Sequence, residues 1–274
     1  MRCLSFIALL FALPGAALAE DHCQFSAPRS LDLQLAGAST VVFEVGPHDL
    51  HLQGGAGGPA SLRGRACASS ADLLDRLTLT QQRVGDKLVV RLQRADRLDV
   101  SWGNRYAYLD VRGLVPDTVR VQLDIGSGDA WANGVASLSA DVGSGEVEVH
   151  NVKGPVTVKV GSGDLDLQDI GALHVLAVGS GDAKLRRVHG PVQIGSLGSG
   201  DVDLAGVDGG VEIGSVGSGD LELADVKGGV TVGSLGSGDL TASRVGGDLQ
   251  VGRKGSGSIR HRDIGGRVLL PRKD

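Results

Sequence analysis

The chain has 274 residues, 44 of them glycine, with one methionine, 3% aromatic residues and a formal net charge of −5. The charge is uneven: residues 126–251 carry 17 acids and 7 bases, whereas residues 252–274 carry 2 acids and 7 bases. An acidic body with no basic stripe excludes nucleic acid as the expected partner, since phosphate binding needs one. Glycine at this density also excludes a helical architecture.

Residues 1–19 read as a secretory signal. Arg2 supplies the positive start, Leu4 to Leu13 the apolar run, and Ala17-Leu18-Ala19 the small-residue cleavage site. The run is too short to span a bilayer, which takes ~20 residues, and no later segment is apolar enough, so no transmembrane segment is expected in the mature chain. The expectation is an exported protein, periplasmic or secreted. Cys3 leaves with the signal. Cys23 and Cys67 then form a lone pair in an oxidising compartment, and a structural disulfide between them is expected, worth ~4 kcal/mol on the chain-entropy account. Glu20-Asp21-His22 lacks the small apolar residues that a lipid-attachment site at Cys23 would need.

Residues 20–125 are β-rich but irregular. Leu31 to Leu35, Leu77 to Thr80, Lys87 to Val90 and Thr118 to Leu123 alternate apolar and polar, the period of a half-buried strand. Ala71 to Leu74 is compatible with one helical turn, and Trp102, Tyr106 and Tyr108 concentrate the aromatics here. This half reads as the atypical cap that a repeat array requires over its first open edge, together with irregular early coils.

From residue 126 to 274 a fixed beat takes over. Gly126-Ser127-Gly128-Asp129 returns at Gly143, Gly161, Gly179, Gly198, Gly217, Gly236 and Gly255, at spacings of 17, 18, 18, 19, 19, 19 and 19. A constant period means one unit stacked on copies of itself. Within a unit, Asp201 to Leu204 and Val211 to Ile213 are short strands, separated by an Asp208-Gly209-Gly210 corner. Three columns test the stacking. Val207 aligns with Val152, Ile170, Val188, Val226, Val245 and Ile264. Leu204 aligns with Val149, Leu167, Leu185, Leu223 and Ala242, and Ile213 with Val158, Val175, Ile194, Val232 and Val251. All three are aliphatic throughout. The expected fold is all-β: a single-stranded parallel β-helix of 18–19 residues per coil behind an irregular β-rich cap. The residue added in the longer coils sits beside a glycine, as a bulge would.

With these features the chain resembles the bacterial putative-adhesin β-strand-repeat family, whose members include auto-transporter adhesin head domains. The resemblance rests on Leu114-Val115-Pro116, the alternating Thr118 to Leu123, the repeated Gly-Ser-Gly-Asp with its valine-glycine corners, and the β-rich Leu77 to Leu92 before them. It implies a right-handed parallel β-helix exported by bacteria, and a protein or glycan of the cell envelope or surface as partner.

The candidate sites are few. Asp129, Glu146, Asp164, Asp182, Asp201, Asp220 and Asp239 form an expected ladder ~4.8 Å apart. Asp164, Asp182, Asp201, Asp220 and Asp239 are the candidate metal ligands, for calcium. Calcium takes six to eight oxygens, however, and one carboxylate per coil is sparse, so a turn-forming solvated aspartate is the stronger reading. The serine column from Ser127 to Ser256 reads as turn chemistry, since no G-x-S-x-G elbow is present. His48, His51, His150, His174 and His189 share no column and read as surface residues. Trp131 is the only aromatic within the repeats, too few for the sugar platforms of a polysaccharide lyase or hydrolase. No catalytic residue and no cofactor is expected. The sequence reads as a non-catalytic structural, adhesin-like or envelope interaction protein. A carbohydrate-active β-helix enzyme and a calcium-stabilised scaffold are the alternatives.

Overall fold

The computed structural model describes residues 23–95 and 105–272. The expectations placed on residues 1–19 and on Trp102 lie outside the described residues.

The chain alternates between two sheets of 12 strands each. After β1 (Phe25–Asp32), strands β2 (Thr40–Gly46) and β3 (Asp49–Gly55) make one complete coil, one strand in each sheet. The chain then leaves the stack. It builds β4 (Ser61–Ala68), the single turn α1 (Ala71–Leu74), β5 (Leu77–Val84), β6 (Lys87–Arg94) and β7 (Ala107–Pro116) on the near side of that coil. It rejoins the far side with β8 (Arg120–Ile125) and β9 (Ala130–Asn133), which pair in parallel with β2 and β3. The cap is thus an insertion between the first coil and the second.

Each following coil adds one strand to each sheet. They are β10 (Ser137–Val142), β11 (Glu146–Val152), β12 (Val156–Val160), β13 (Asp164–Ile170), β14 (Leu173–Val178), β15 (Ala183–Val188), β16 (Val192–Leu197), β17 (Val202–Val207), β18 (Val211–Val216), β19 (Leu221–Val226), β20 (Val230–Leu235), β21 (Leu240–Val245), β22 (Leu249–Lys254), β23 (Ile259–Ile264) and β24 (Val268–Leu269). One sheet runs β1-β4-β7-β3 and then the odd-numbered strands β9 to β23. The other runs from β24 down the even-numbered strands to β8, then β2-β6-β5.

The register is the one the columns require. Val152, Ile170, Val188, Val207, Val226, Val245 and Ile264 are successive partners across the first sheet, and Val158, Val175, Ile194, Ile213, Val232 and Val251 across the second. Their side chains fill the narrow space between the sheets and form one continuous core from Leu33 to Val251. A single coil has one apolar layer and nothing to cover it; stacking removes that layer from water at ~25 cal/mol per Å².

The glycines are set by the same stacking. A Cβ on Gly200 would lie 1.9 Å from the carbonyl oxygen of Gly181 one coil back, and every second glycine of the motif meets the same obstacle within 2.0 Å. The extra residue of the longer coils first appears as Leu176, a bulge against the straight β12. Nothing in β12 bulges beneath it, so a side chain is allowed and stands 46% exposed. Every later bulge lies on another, with the backbone oxygen of Leu176 only 2.4 Å from a Cβ on Gly195, and that column is glycine at Gly195, Gly214, Gly233 and Gly252.

A second column was not read from the sequence. Asn151, Asp169, Arg187, Asp225, Arg244 and Asp263 all have φ between 52° and 57°, and Gly134 at 69° and Gly206 at 75° belong to the same line. The left-handed residue bends each strand of the first sheet just before its last aliphatic residue. Arginine is unusual in this conformation. Arg187 is held there by two hydrogen bonds of 2.7 Å donated to Asp169 one coil back, and Arg244 donates likewise to Asp225.

In the cap, the expected strands at Leu77, Lys87 and Thr118 are present, as is the helical turn. The one expected at Leu31–Leu35 is displaced: β1 ends at Asp32, the Leu33 amide still bonds its register neighbour Ala60, and the chain then turns, with the Leu35 amide on the Leu33 carbonyl. Cys23 and Cys67 are disulfide-bonded, with Cα atoms 5.5 Å apart, and tie β1 to the antiparallel β4. At the other end Lys254 follows the Leu235 column and His261 the Ala242 column, so the aliphatic core gives way to basic residues in the last coil.

Candidate functional site

The outward side chains of the first sheet form three rows along the stack, because residues i, i+2 and i+4 of in-register strands share a face. The first row is the acidic ladder, running Asp110, Asp49, Asp129, Glu146, Asp164, Asp182, Asp201, Asp220 and Asp239. In it the Oδ1 of one aspartate accepts the backbone N–H of the residue one coil on. Asp182 donates to Asp164 at 3.0 Å, Asp201 to Asp182 at 3.0 Å, Asp220 to Asp201 at 2.8 Å, Asp239 to Asp220 at 2.8 Å and Ser258 to Asp239 at 2.8 Å. These turn amides point along the stack where a strand ladder would satisfy them, and the carboxylate supplies the acceptor. Glu146 is too long for this geometry, so the Asp164 amide bonds the carbonyl of Gly145 instead. Burial and the neighbouring Glu148, Asp129 and Asp164 raise its pKa, while the Ser258 amide and Arg260 lower that of Asp239. The five candidate metal ligands therefore stand in one line, each with one oxygen used by the fold. Among the described residues no group of three or more His, Cys, Asp or Glu side chains converges as a metal cage. In the serine column, the hydroxyl of Ser256 donates to that of Ser237 at 3.2 Å.

The histidines divide. His48 is not a surface residue: it is fully buried, with Nδ1 accepting the Leu109 amide at 3.2 Å and Nε2 without a partner among the described residues. The reason is a copy of the motif that the sequence hides. Gly46-Pro47-His48-Asp49 lies under Gly126-Ser127-Gly128-Asp129, and the three amides of Gly126, Ser127 and Gly128 all converge on the carbonyl of Gly46. His48 holds the place of the second glycine, and the cap rather than a coil lies behind it, which leaves room for an imidazole. Burial lowers its pKa to about 4, with Arg94 adding to the effect. His189, exposed, faces Asp208 at 3.2 Å.

His51 and Trp131 come together. They are register partners on β3 and β9, and their rings stack at 4.2 Å with 6° between planes. They stand in the second row, which reads Arg63, Arg112, His51, Trp131, Glu148. The third row beside it reads Ser61, Leu114, Gln53, Asn133, His150. Between them lies a groove of about 520 Å³ at the junction of cap and coils, within the ~300–1,000 Å³ range of small-molecule sites. Leu114 is 54% exposed along it. His51 covers one face of Trp131, and Glu148 is its register neighbour on the other side. Trp131 was legible as the lone aromatic of the repeats; its partner was not, because the cap insertion separates the two in sequence.

Comparison with solved structures places this architecture. A putative adhesin from Bacteroides fragilis superposes with a TM-score of 0.52 at 13% identity, over 87% of this chain and 98% of that one. A putative adhesin from Parabacteroides merdae gives 0.52 at 13%, over 86% and 96%. A protein from Parabacteroides distasonis described as a putative lipid-binding protein gives 0.51 at 16%, over 86% and 96%. The chain shares their fold. No protein-family model matches the sequence, and no curated protein does. Among the described residues no helix is long and apolar enough to cross a membrane.

Proposed function

We propose that the chain is an exported, non-catalytic, adhesin-like interaction protein that engages a molecule of the cell envelope or surface through the groove at Trp131. The groove carries this reading. Along the coils several outward cations are engaged by carboxylates one coil away, as in Arg187 with Asp169, Lys227 with Asp208 and Arg244 with Asp225. At the cap junction an exposed leucine, an aromatic stack and charged side chains line one concavity. The disulfide supports an oxidising compartment, and the adhesin-like fold of the solved relatives supports a role in contact rather than turnover.

The test is co-sedimentation of the mature chain with intact envelopes. Binding is expected to fall several-fold in a Trp131→Ala, Leu114→Ser double variant, and to persist in Glu212→Gln, which changes the opposite sheet. Equal pelleting of all three chains, or none by the unaltered chain, overturns the proposal.

A further inference from the structure

On the outer faces of the coils a cation is commonly paired with a carboxylate one coil away, although the acidic ladder stacks like charges directly. Arg186 approaches Asp166 at 3.5 Å, Lys159 approaches Asp141 at 3.3 Å, and Arg260 approaches Asp239 at 3.0 Å. The cap follows the rule at one point, where Arg65 on β4 faces its register partner Asp110 on β7 at 3.4 Å. Two residues along the same strands the rule inverts, and Arg63 stands directly opposite Arg112. Like charges at the ~4.5–5.5 Å Cβ separation of an opposed antiparallel pair destabilise a sheet. Arg63 reaches Asp32 at 3.7 Å, with both side chains mostly exposed, a contact of little strength. Arg112 has no counter-charge among the described residues. Along the row the next carboxylate is Glu148, three strand spacings or ~14 Å from Arg112.

The groove beside this cation pair is mixed, with polar His51, Gln53 and Ser61 and an apolar part at Leu114 and Trp131. Leu114, the next outward residue on β7, lies ~7 Å from Arg112 along the strand and stands 54% exposed. Trp131 lines the same concavity. Two guanidinium forks suit the paired oxygens of a carboxylate or a phosphate, and the leucine and indole suit a hydrocarbon.

We infer that the groove binds an amphiphile, its single carboxylate or phosphate head on Arg63 and Arg112 and its apolar stem against Leu114 and Trp131. This rests on the interaction reading above and narrows the chemistry of its groove. The unrelieved Arg63–Arg112 repulsion is then a binding site kept at a cost in stability, as local conflicts at functional sites commonly are.

Isothermal titration of the mature chain tests it with five probes: decanoate, decyl phosphate, decyltrimethylammonium, acetate and inorganic phosphate. One decanoate or one decyl phosphate per chain is expected to bind, and whichever binds tighter identifies the head group. The cationic amphiphile and the two bare anions should be weaker by about tenfold or more. Arg112→Ala should weaken the preferred probe by about tenfold and raise the melting temperature, a combination that a merely structural arginine would not give. Leu114→Ser should weaken it while leaving the melting temperature unchanged. Equal binding of the cationic amphiphile, wild-type affinity in Arg112→Ala, or no binding of either anionic amphiphile overturns the inference. The last result leaves envelope co-sedimentation standing, so the two readings fail separately.

Discussion

His48 occupies the place that glycine holds in every later coil, and its imidazole is enclosed between that coil and the cap with Nε2 unpartnered among the described residues. The folded chain therefore keeps the ring neutral down to pH about 4, whereas the unfolded chain protonates it near 6.5. Between those values unfolding takes up a proton, so stability rises with pH and is lost as the pH falls. The loss from this one group should reach about 2 kcal/mol by pH 5 and roughly 3 kcal/mol by pH 4. Urea unfolding at pH 7.5 and pH 5 checks it: the unaltered chain should lose about 2 kcal/mol more across that interval than His48→Gln. Parallel losses in the two chains would show that the ring protonates in place. The surface reading of His48 failed for a physical reason. Pro47 and His48 replace the serine and the second glycine, so the motif is recognisable only once the amides of Gly126 to Gly128 are seen converging on Gly46.

At the scale of an element, the acidic ladder acts as a hydrogen-bond acceptor rather than as a set of loose charges. Asp201→Ala removes the acceptor for the Asp220 amide, which sits at the surface where water can replace it, so a loss of about 1 kcal/mol is expected. Asp201→Asn keeps an oxygen in place and removes one carboxylate from a line of like charges, so it should match or exceed the unaltered stability. Thermal melts of the three chains, with calcium and with chelator, check both points and the calcium expectation together. Melting is expected to be independent of calcium. A rise with calcium that Asp201→Asn abolishes would instead assign the second carboxylate oxygens to a cation. The ladder was visible in the sequence because a fixed period places its members without any structure. The left-handed column was not, since Asn, Asp, Arg and Gly alternate there without a common chemistry. What its members share is a backbone angle, and at some coils a partner one coil away, as in Arg187 on Asp169.

For the whole molecule, the coil array was legible because each coil contacts only its neighbours, so periodicity alone sets sheets, core and register. The cap's strands were legible but their pairing was not, because beyond the local β5–β6 hairpin β7 returns to β4 and β3 across a long stretch of sequence. The groove was lost with it, as it joins β3 and β7 of one region to β9 and β11 of the other. The same locality predicts that a coil can be removed. Deleting residues 198–216 excises β17 and β18 together, and every column closes on a like residue: Val188 meets Val226, Leu185 meets Leu223, and Ile194 meets Val232. The cut takes away Asp208, which faces Lys227 at 2.8 Å and His189 at 3.2 Å. It also removes Gly206, which has no side chain in the left-handed column, and brings Arg187 against Asp225, continuing the alternation of Asp169, Arg187, Asp225 and Arg244. The shortened chain should fold with an unchanged circular dichroism signal per residue and melt within a few degrees of the full one, because one coil interface is lost and the rest are intact. The further substitution Arg187→Ala should then cost more in the shortened chain than in the full one, by about 0.5 kcal/mol, as the guanidinium there lies between two carboxylates instead of beside one. Loss of cooperative melting on deletion would show that distant coils, and not only neighbours, hold the stack in register.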